Sequence, residues 1–204
     1  MDENDLINGV LNGDESAFKM LYSKYVDIVF NTSLNLLQHK QEAEDNTQEV
    51  FIEIYKSIGK FKQEASLKTW VYKITLNKCY DHLKKQKSKK RFAFVTSLFN
   101  SDNELIHDAP HFNHPGIALE NKEHAAALFF AIKQIPQNQQ TAFTLSKIEG
   151  LSNQEIAIIM DNTVPSVESL LFRANKNLKN SLLGYYKNNL QQGASNFKIL
   201  LLIF

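Results

Sequence analysis

The chain has 204 residues, 43% of them apolar, and a formal net charge of +1, which allows a buried core and one or two domains. Seven glycines, four prolines and long stretches of Leu, Lys, Glu, Gln and Ala favour helices over sheet, and no strong strand alternation occurs. The lone Cys79 excludes an intrachain disulfide, the acidic start Met1-Asp2-Glu3-Asn4-Asp5 is the reverse of a secretory signal, and no apolar run approaches the roughly 20 residues of a membrane span. A soluble, cytoplasmic protein with no membrane insertion is expected.

The near-neutral total conceals a division. Residues 1–55 carry eleven acids against Lys19, Lys24 and Lys40, whereas Lys56 to Arg91 holds twelve basic residues against Glu64 and Asp81. Such asymmetry points to two different partners, and the basic block to a polyanion.

In chain order, Asp2 to Asn12 reads as a short helix closed by Asn12-Gly13-Asp14. Glu15 to Gln38 places Phe18, Leu21, Tyr22, Tyr25, Val29, Leu36 and Leu37 at three- and four-residue spacing, an amphipathic helix. From Gln41 to Ile58 a third helix can bury Ala43, Val50, Ile54 and Ile58 while Asp45, Gln48, Glu49 and Ile52 lie together on the outside, with Gly59 as its C′ residue. An acidic and amide stripe with one apolar member suits a partner helix rich in Arg and Lys; the alternative is an ordinary solvated face.

Phe61 to Leu67 forms a loop, with Ser66 and Thr69 able to serve the start of the next helix. That helix, Ser66 to Arg91, buries Tyr72, Leu76, Cys79 and Leu83 on one stripe and gathers Trp70, Lys73, Asn77, Asp81 and Lys84 on another face. Amides and amines can pair with base edges and an indole can stack on an unpaired base, so this face can read nucleic acid; a core Trp70 beside a solvated face is the competing reading.

Phe92 to Leu119 has no sustained helical period and reads as a linker. Its His107, His111 and His114 fit no zinc spacing, so neither a metal nor another cofactor is expected. Helical periodicity returns from Ala118 to Lys133 and from Asn138 to Ile148, the latter through the apolar Ala142, Phe143, Leu145 and Ile148 and closed by Glu149-Gly150. Leu151 to Asn180 has the layout of a helix-turn-helix: Ser152 to Glu155 is a capping box, Asp161-Asn162-Thr163 makes the turn, and Val167, Leu171, Ala174 and Leu178 fix the buried side of the second helix. Its other side shows Ser166, Ser169, Phe172, Arg173 and Lys176 near the helix start, where a recognition helix meets the major groove.

Three segments in this order resemble the extracytoplasmic-function sigma factors, small two-domain initiation factors of bacterial transcription. Ala43 to Phe51 resembles the family's core-polymerase-binding motif, Lys68-Thr69-Trp70-Val71-Tyr72-Lys73-Ile74 with Asn77 its upstream-element reader, and Leu151 through Ala174 its helix-turn-helix; the likeness covers about residues 5 to 182. It implies an all-α fold of two helical domains: residues 1–92 for core polymerase and the minus-ten element, a linker over 93–118, residues 119–184 with the helix-turn-helix, and a tail over 185–204.

The resemblance also implies roles for particular residues and a protein that is not an enzyme. Asp45, Gln48, Glu49 and Ile52 would dock on core RNA polymerase. The loop carrying Phe61, Lys62 and Ser66, with Lys68, Thr69, Trp70, Lys73 and Asn77 beside it, would capture an unstacked base of the minus-ten element, while Lys84 and Lys85 would hold phosphates of promoter DNA. Ser166, Ser169, Phe172, Arg173 and Lys176 would read the minus-thirty-five element. An anti-sigma factor is a further partner the likeness admits, and a stand-alone helix-turn-helix regulator is the alternative reading. The chain departs from the family at Glu168, Leu170 and Asn175, where Lys or Arg often stand, which implies weak binding of free DNA by the second domain. The apolar end Phe197 to Phe204 has no family counterpart and is expected to pack against a domain or a partner.

Overall fold

The computed structural model describes residues 2–99 and 122–189, with the side chains of 2–89 and 127–183. Among the described residues every regular element is helical, as the composition leads one to expect. They form two compact units, the first centred on four helices and the second on another four.

In the first unit, α1 (Glu3–Leu11) starts on an Asp2 capping box and α2 (Glu15–Leu37) on Asp14, whose carboxylate accepts the Ser16 N–H at 2.8 Å. The Ser16 hydroxyl and backbone N–H hold the Asp14 carboxyl below the usual carboxylate range. Helices α1 and α2 approach so closely that a Cβ built on Gly9 would sit 2.6 Å from that of Ala17, so only glycine fits. Gln38, in the left-handed region at φ 52°, ends α2, and His39 caps α3 (Lys40–Ser57) through Nδ1, which accepts the Glu42 N–H at 3.3 Å.

The core joins Leu6, Ile7 and Val10 of α1, Leu21, Tyr25 and Val29 of α2, Val50, Phe51 and Ile54 of α3, and Leu67 and Val71 of α4 (Leu67–Phe99). At about 2 kcal/mol for each large side chain withdrawn from water, this cluster is what holds the unit together. Alongside it runs a buried polar layer. Asn46 donates through Nδ2 to the Ser33 hydroxyl at 2.9 Å and to Cys79 Sγ at 3.4 Å, and Ser33 in turn donates to the Val29 carbonyl. Burial pushes the Cys79 thiol up to about 12.

Several sequence expectations need amending. Helix α4 does not stop at Arg91 but continues to Phe99, so the start of the expected linker is helical. The added stretch, Phe92-Ala93-Phe94-Val95-Thr96-Ser97-Leu98-Phe99, is rich in aromatic and β-branched residues of modest helix propensity and shows no 3.6-residue apolar period, so its sequence does not announce a helix. Gly59 is not a left-handed cap; it lies inside a 3₁₀ turn (Ile58–Lys60), where a Cβ would come within 3.2 Å of Leu11. Tyr22, expected on the buried stripe of α2, is 43% exposed. Residues 100–118 of the expected linker, with its three histidines, and the tail from Leu190 with Phe197 to Phe204 lie outside the described residues.

The second unit packs α5 (Lys122–Gln134) and α6 (Gln137–Phe143) against α8 (Val164–Asn189). Its core is Ala127, Phe129, Ala131, Ile132, Ile135, Phe143, Ala174, Leu178 and Leu182. Here the helix expected over 138–148 divides: after Phe143 the chain widens into a π turn over Thr144–Ile148, in which the Glu149 N–H reaches the Thr144 carbonyl at 3.0 Å. Ile148, expected to be buried, is 39% exposed. Gly150 at φ 70° then turns the chain toward α7 (Asn153–Ile159).

Candidate functional site

Three surfaces carry the residues singled out by sequence. On α3, fully buried Ala43, Val50 and Ile54 fix the rotation of the helix, and Asp45, Gln48, Glu49 and Ile52 all emerge on the outside. The acids flanking them are engaged within the unit: Glu42 faces His82 Nε2 at 3.3 Å and accepts from Gln86 at 3.0 Å, and Glu53 pairs with Lys78 at 3.1 Å. Among the described residues, no basic side chain pairs with Asp45 or Glu49. Two free carboxylates and an isoleucine that is 54% exposed make a face suited to a cationic, partly apolar partner.

An aromatic surface that the sequence reading missed occurs in the same unit. Phe18 meets Tyr55 edge-on at 5.4 Å, Tyr22 tilts over Phe51 at 4.5 Å, and a shallow groove of about 690 Å³ runs past Phe18, Tyr22 and Tyr55 to the capped start of α2. The signal for it was present: Tyr55 lies three residues beyond Ile52, on the same side of α3.

The second surface is the loop before α4 and that helix's first turns. Ser66 caps α4, its hydroxyl accepting the Thr69 N–H at 3.1 Å and lying 2.8 Å from the Thr69 hydroxyl. Thr69 is thus buried and paired, and shapes the loop from beneath rather than facing solvent. Phe61 and Trp70 pack at 5.3 Å across the loop, and Trp70 is half-buried against the core, which agrees with the packing reading of the indole. Lys62, Lys68, Asn77, Lys84 and Lys85 are exposed and Lys73 half-buried. Lys68 reaches over the Tyr72 ring at 5.8 Å. Lys78, counted in the basic block, is neutralised by Glu53. The remaining cations keep this end of α4 positive, with a tilted Phe61 and Trp70 pair at its foot, a combination that suits unstacked bases on a phosphate backbone.

The third surface belongs to the second unit. Ser152 and Glu155 form the expected capping box, with Ser152 N–H donating to the Glu155 carboxylate at 2.9 Å and Glu155 N–H to the Ser152 hydroxyl at 3.3 Å. Asp161, at φ 49°, makes the turn, and Thr163 caps α8 by accepting the Ser166 N–H at 3.4 Å. Val167, Ala174 and Leu178 are fully buried, which turns Ser169, Phe172, Arg173 and Lys176 to the outside; Ser166 is half-buried. Phe172 is 71% exposed, and Arg173 Nε donates to the Ser169 carbonyl at 3.1 Å, laying the guanidinium along the helix. Leu170 is buried, so it belongs to the packing of the unit and is no vacant place for a cation.

Comparison with known proteins joins these surfaces. The family described as Sigma-70 region 2 matches residues 21–89, and the family described as Sigma-70, region 4 matches residues 126–178. The RNA polymerase sigma-H factor of Pseudomonas aeruginosa is 31% identical over 88% of this chain and 93% of its own length. The ECF RNA polymerase sigma-E factor of Haemophilus influenzae is 30% identical over 87% and 93%. Among solved structures, the sigma factor RpoE of Bartonella quintana, in complex with the anti-sigma factor NepR, shares the fold with a TM-score of 0.64 at 18% identity, over 81% of this chain and 96% of that one. CnrH, in complex with the cytosolic domain of CnrY, does so with a TM-score of 0.62 at 17% identity, over 88% and 96%. With both sigma regions present in order on two helical units, the chain belongs to the extracytoplasmic-function sigma factors, which bind core RNA polymerase and direct it to promoter DNA.

Proposed function

We propose that the three surfaces divide the work of initiation between them. The face of Asp45, Gln48, Glu49 and Ile52 docks on core polymerase, and the observation that carries this is that Asp45 and Glu49 have no basic partner among the described residues while the neighbouring Glu42 and Glu53 do. The loop of Phe61, Lys62 and Ser66, with Trp70, Lys73 and Asn77 beside it, captures an unstacked base of the minus-ten element. Thr69 serves it by fixing the cap. Separating strands costs a few kcal/mol for each unstacked base, and a pocket for the freed base offsets that cost without ATP. Lys68, Lys84 and Lys85 hold phosphates, which makes binding fall as salt rises.

In the second unit, Ser166, Ser169, Phe172, Arg173 and Lys176 read the minus-thirty-five element from the major groove, with Arg173 as the base or phosphate contact. The chain acts without catalysis of its own, in the cytoplasm, where core polymerase and promoter lie. The complex of the fold neighbour RpoE with the anti-sigma factor NepR supports a comparable inhibitor here, and exposed Ile52, Tyr55 and Phe172 are apolar groups such a protein would cover. Run-off transcription with core polymerase and genomic fragments tests the whole reading: new start sites that depend on the added chain are expected, and unchanged start sites would refute it.

A further inference from the structure

The loop proposed to capture a base is fastened at both ends, by the Phe61 and Trp70 rings and by the Ser66 cap. Its middle is tied to a different element. Gln63 stands in the left-handed region at φ 59°, a conformation that a non-glycine residue adopts at some cost, and its side-chain amide donates through Nε2 to Asn4 Oδ1 at 2.9 Å. Fifty-nine residues separate the two in sequence.

Asn4 is itself firmly held. Its backbone N–H donates to the Asp2 carboxylate at 2.7 Å within the capping box of α1. The preceding Glu3 accepts the Tyr25 hydroxyl at 3.2 Å and pairs with Lys24 at 3.7 Å, which pins the first turn of α1 to α2. Leu6, Ile7 and Val10 then bury α1 in the same core as Ile58, against which Phe61 also packs. The first turn of α1 is therefore a fixed point beside the loop, attached to the one residue there whose backbone is under strain.

We propose that Asn4 is a positioning residue for strand capture: through Gln63 it holds the loop open in the conformation that receives the unstacked base, so α1 serves as the loop's buttress. The inference rests on the reading of the loop as the minus-ten reader. Asn4 and Gln63 act as one unit in it, and neither needs to touch DNA.

The test uses holoenzyme assembled from core polymerase and the full chain. Wild-type holoenzyme first selects a preferred strand from single-stranded DNA with a randomised central stretch, and the affinity of that strand is then measured for variants. Asn4→Ala and Gln63→Ala are each expected to weaken it about threefold, the range of an exposed hydrogen bond, and the double variant no further than either alone. Gln63→Gly relieves the backbone but lacks the amide, and should bind as weakly as Gln63→Ala. Asn4→Asp keeps an acceptor for Nε2 and should restore affinity. Holoenzyme assembly should not change in any variant, nor the thermal midpoint in Asn4→Ala and Asn4→Asp, which a merely structural role of the pair would not allow. Losses that multiply in the double variant, or full affinity in Asn4→Ala or Gln63→Gly, would overturn the positioning role alone. A wild-type holoenzyme that prefers no strand would remove the base-capture reading and this inference with it.

Discussion

Lys78 of α4 holds Glu53 of α3 at 3.1 Å, and one turn further along α4 His82 faces Glu42 at 3.3 Å. These two links set Glu42 and Glu53, which clamp the helix pair, apart from Asp45 and Glu49, which have no basic partner among the described residues. Changing both Asp45 and Gln48 to Ala should therefore weaken core-polymerase binding about tenfold or more while leaving the thermal midpoint in place. Glu53→Ala should do the reverse, costing up to about 1 kcal/mol of stability and sparing assembly. Titration of labelled chain with core polymerase, beside a melting curve, distinguishes the two.

Asn77 is exposed one face away from the core, whereas Trp70 packs on Phe61 and the core itself. Asn77→Ala is expected to slow promoter opening with little effect on initial docking or stability. Trp70→Ala should slow opening too, but lose about 2 kcal/mol or more of stability through the emptied packing site. Stopped-flow fluorescence of a base analogue in the minus-ten strand reports the opening step; equal loss of docking in Asn77→Ala would count against the capture role.

In the second unit the buried and exposed sides of α8 give opposite expectations. Leu178→Ala removes a fully buried side chain from the core and should cost about 2–5 kcal/mol, enough to unfold much of the unit. Phe172→Ala, at a position 71% exposed, should leave the melting curve unchanged and reduce protection of the minus-thirty-five region in footprinting.

Cys79, buried against Asn46 and Ser33, should not react with aromatic disulfide reagents until the first unit opens. Its thiol is held protonated in the folded state up to about pH 12, whereas the unfolded chain releases that proton near the ordinary value of 9.0. Between those limits the folded state holds the extra proton, so stability present below about pH 9 declines as pH rises. Cys79→Ala should make that alkaline limb shallower in denaturant titrations, leaving the share of the Tyr25 hydroxyl, which burial and Glu3 also push up.

Much of this architecture was legible from periodicity and caps. The burial of Ala43, Val50, Ile54 and Ile58 placed Asp45, Gln48, Glu49 and Ile52 outward, and the Ser152 to Glu155 box formed as its spacing required. What escaped had physical reasons. The stretch Phe92 to Phe99 is rich in aromatic and β-branched residues, which favour helix only weakly and here set up no 3.6-residue stripe, and this hid the extension of α4 to Phe99. A π turn inserts one residue into the helical period, so Ile148 drifted off the face on which the 3.6-residue spacing had put it. Tyr22 is apolar enough to be read as core, yet it lies 43% exposed and tilted over Phe51, while Tyr55, which the reading passed over, meets Phe18 edge-on beside it. The Gln63 to Asn4 bond joins residues too far apart in the chain for any local pattern to announce it.

The contact between Gly9 and Ala17 ties the proposed strand capture to a steric detail on the helix that buttresses the loop. Because a methyl group at Gly9 would wedge α1 off α2, Gly9→Ala would spoil the footing on which Asn4 rests. A cell carrying that allele should retain a factor that still joins polymerase in the cold yet loses its regulon on warming, a conditional phenotype arising from one methyl group.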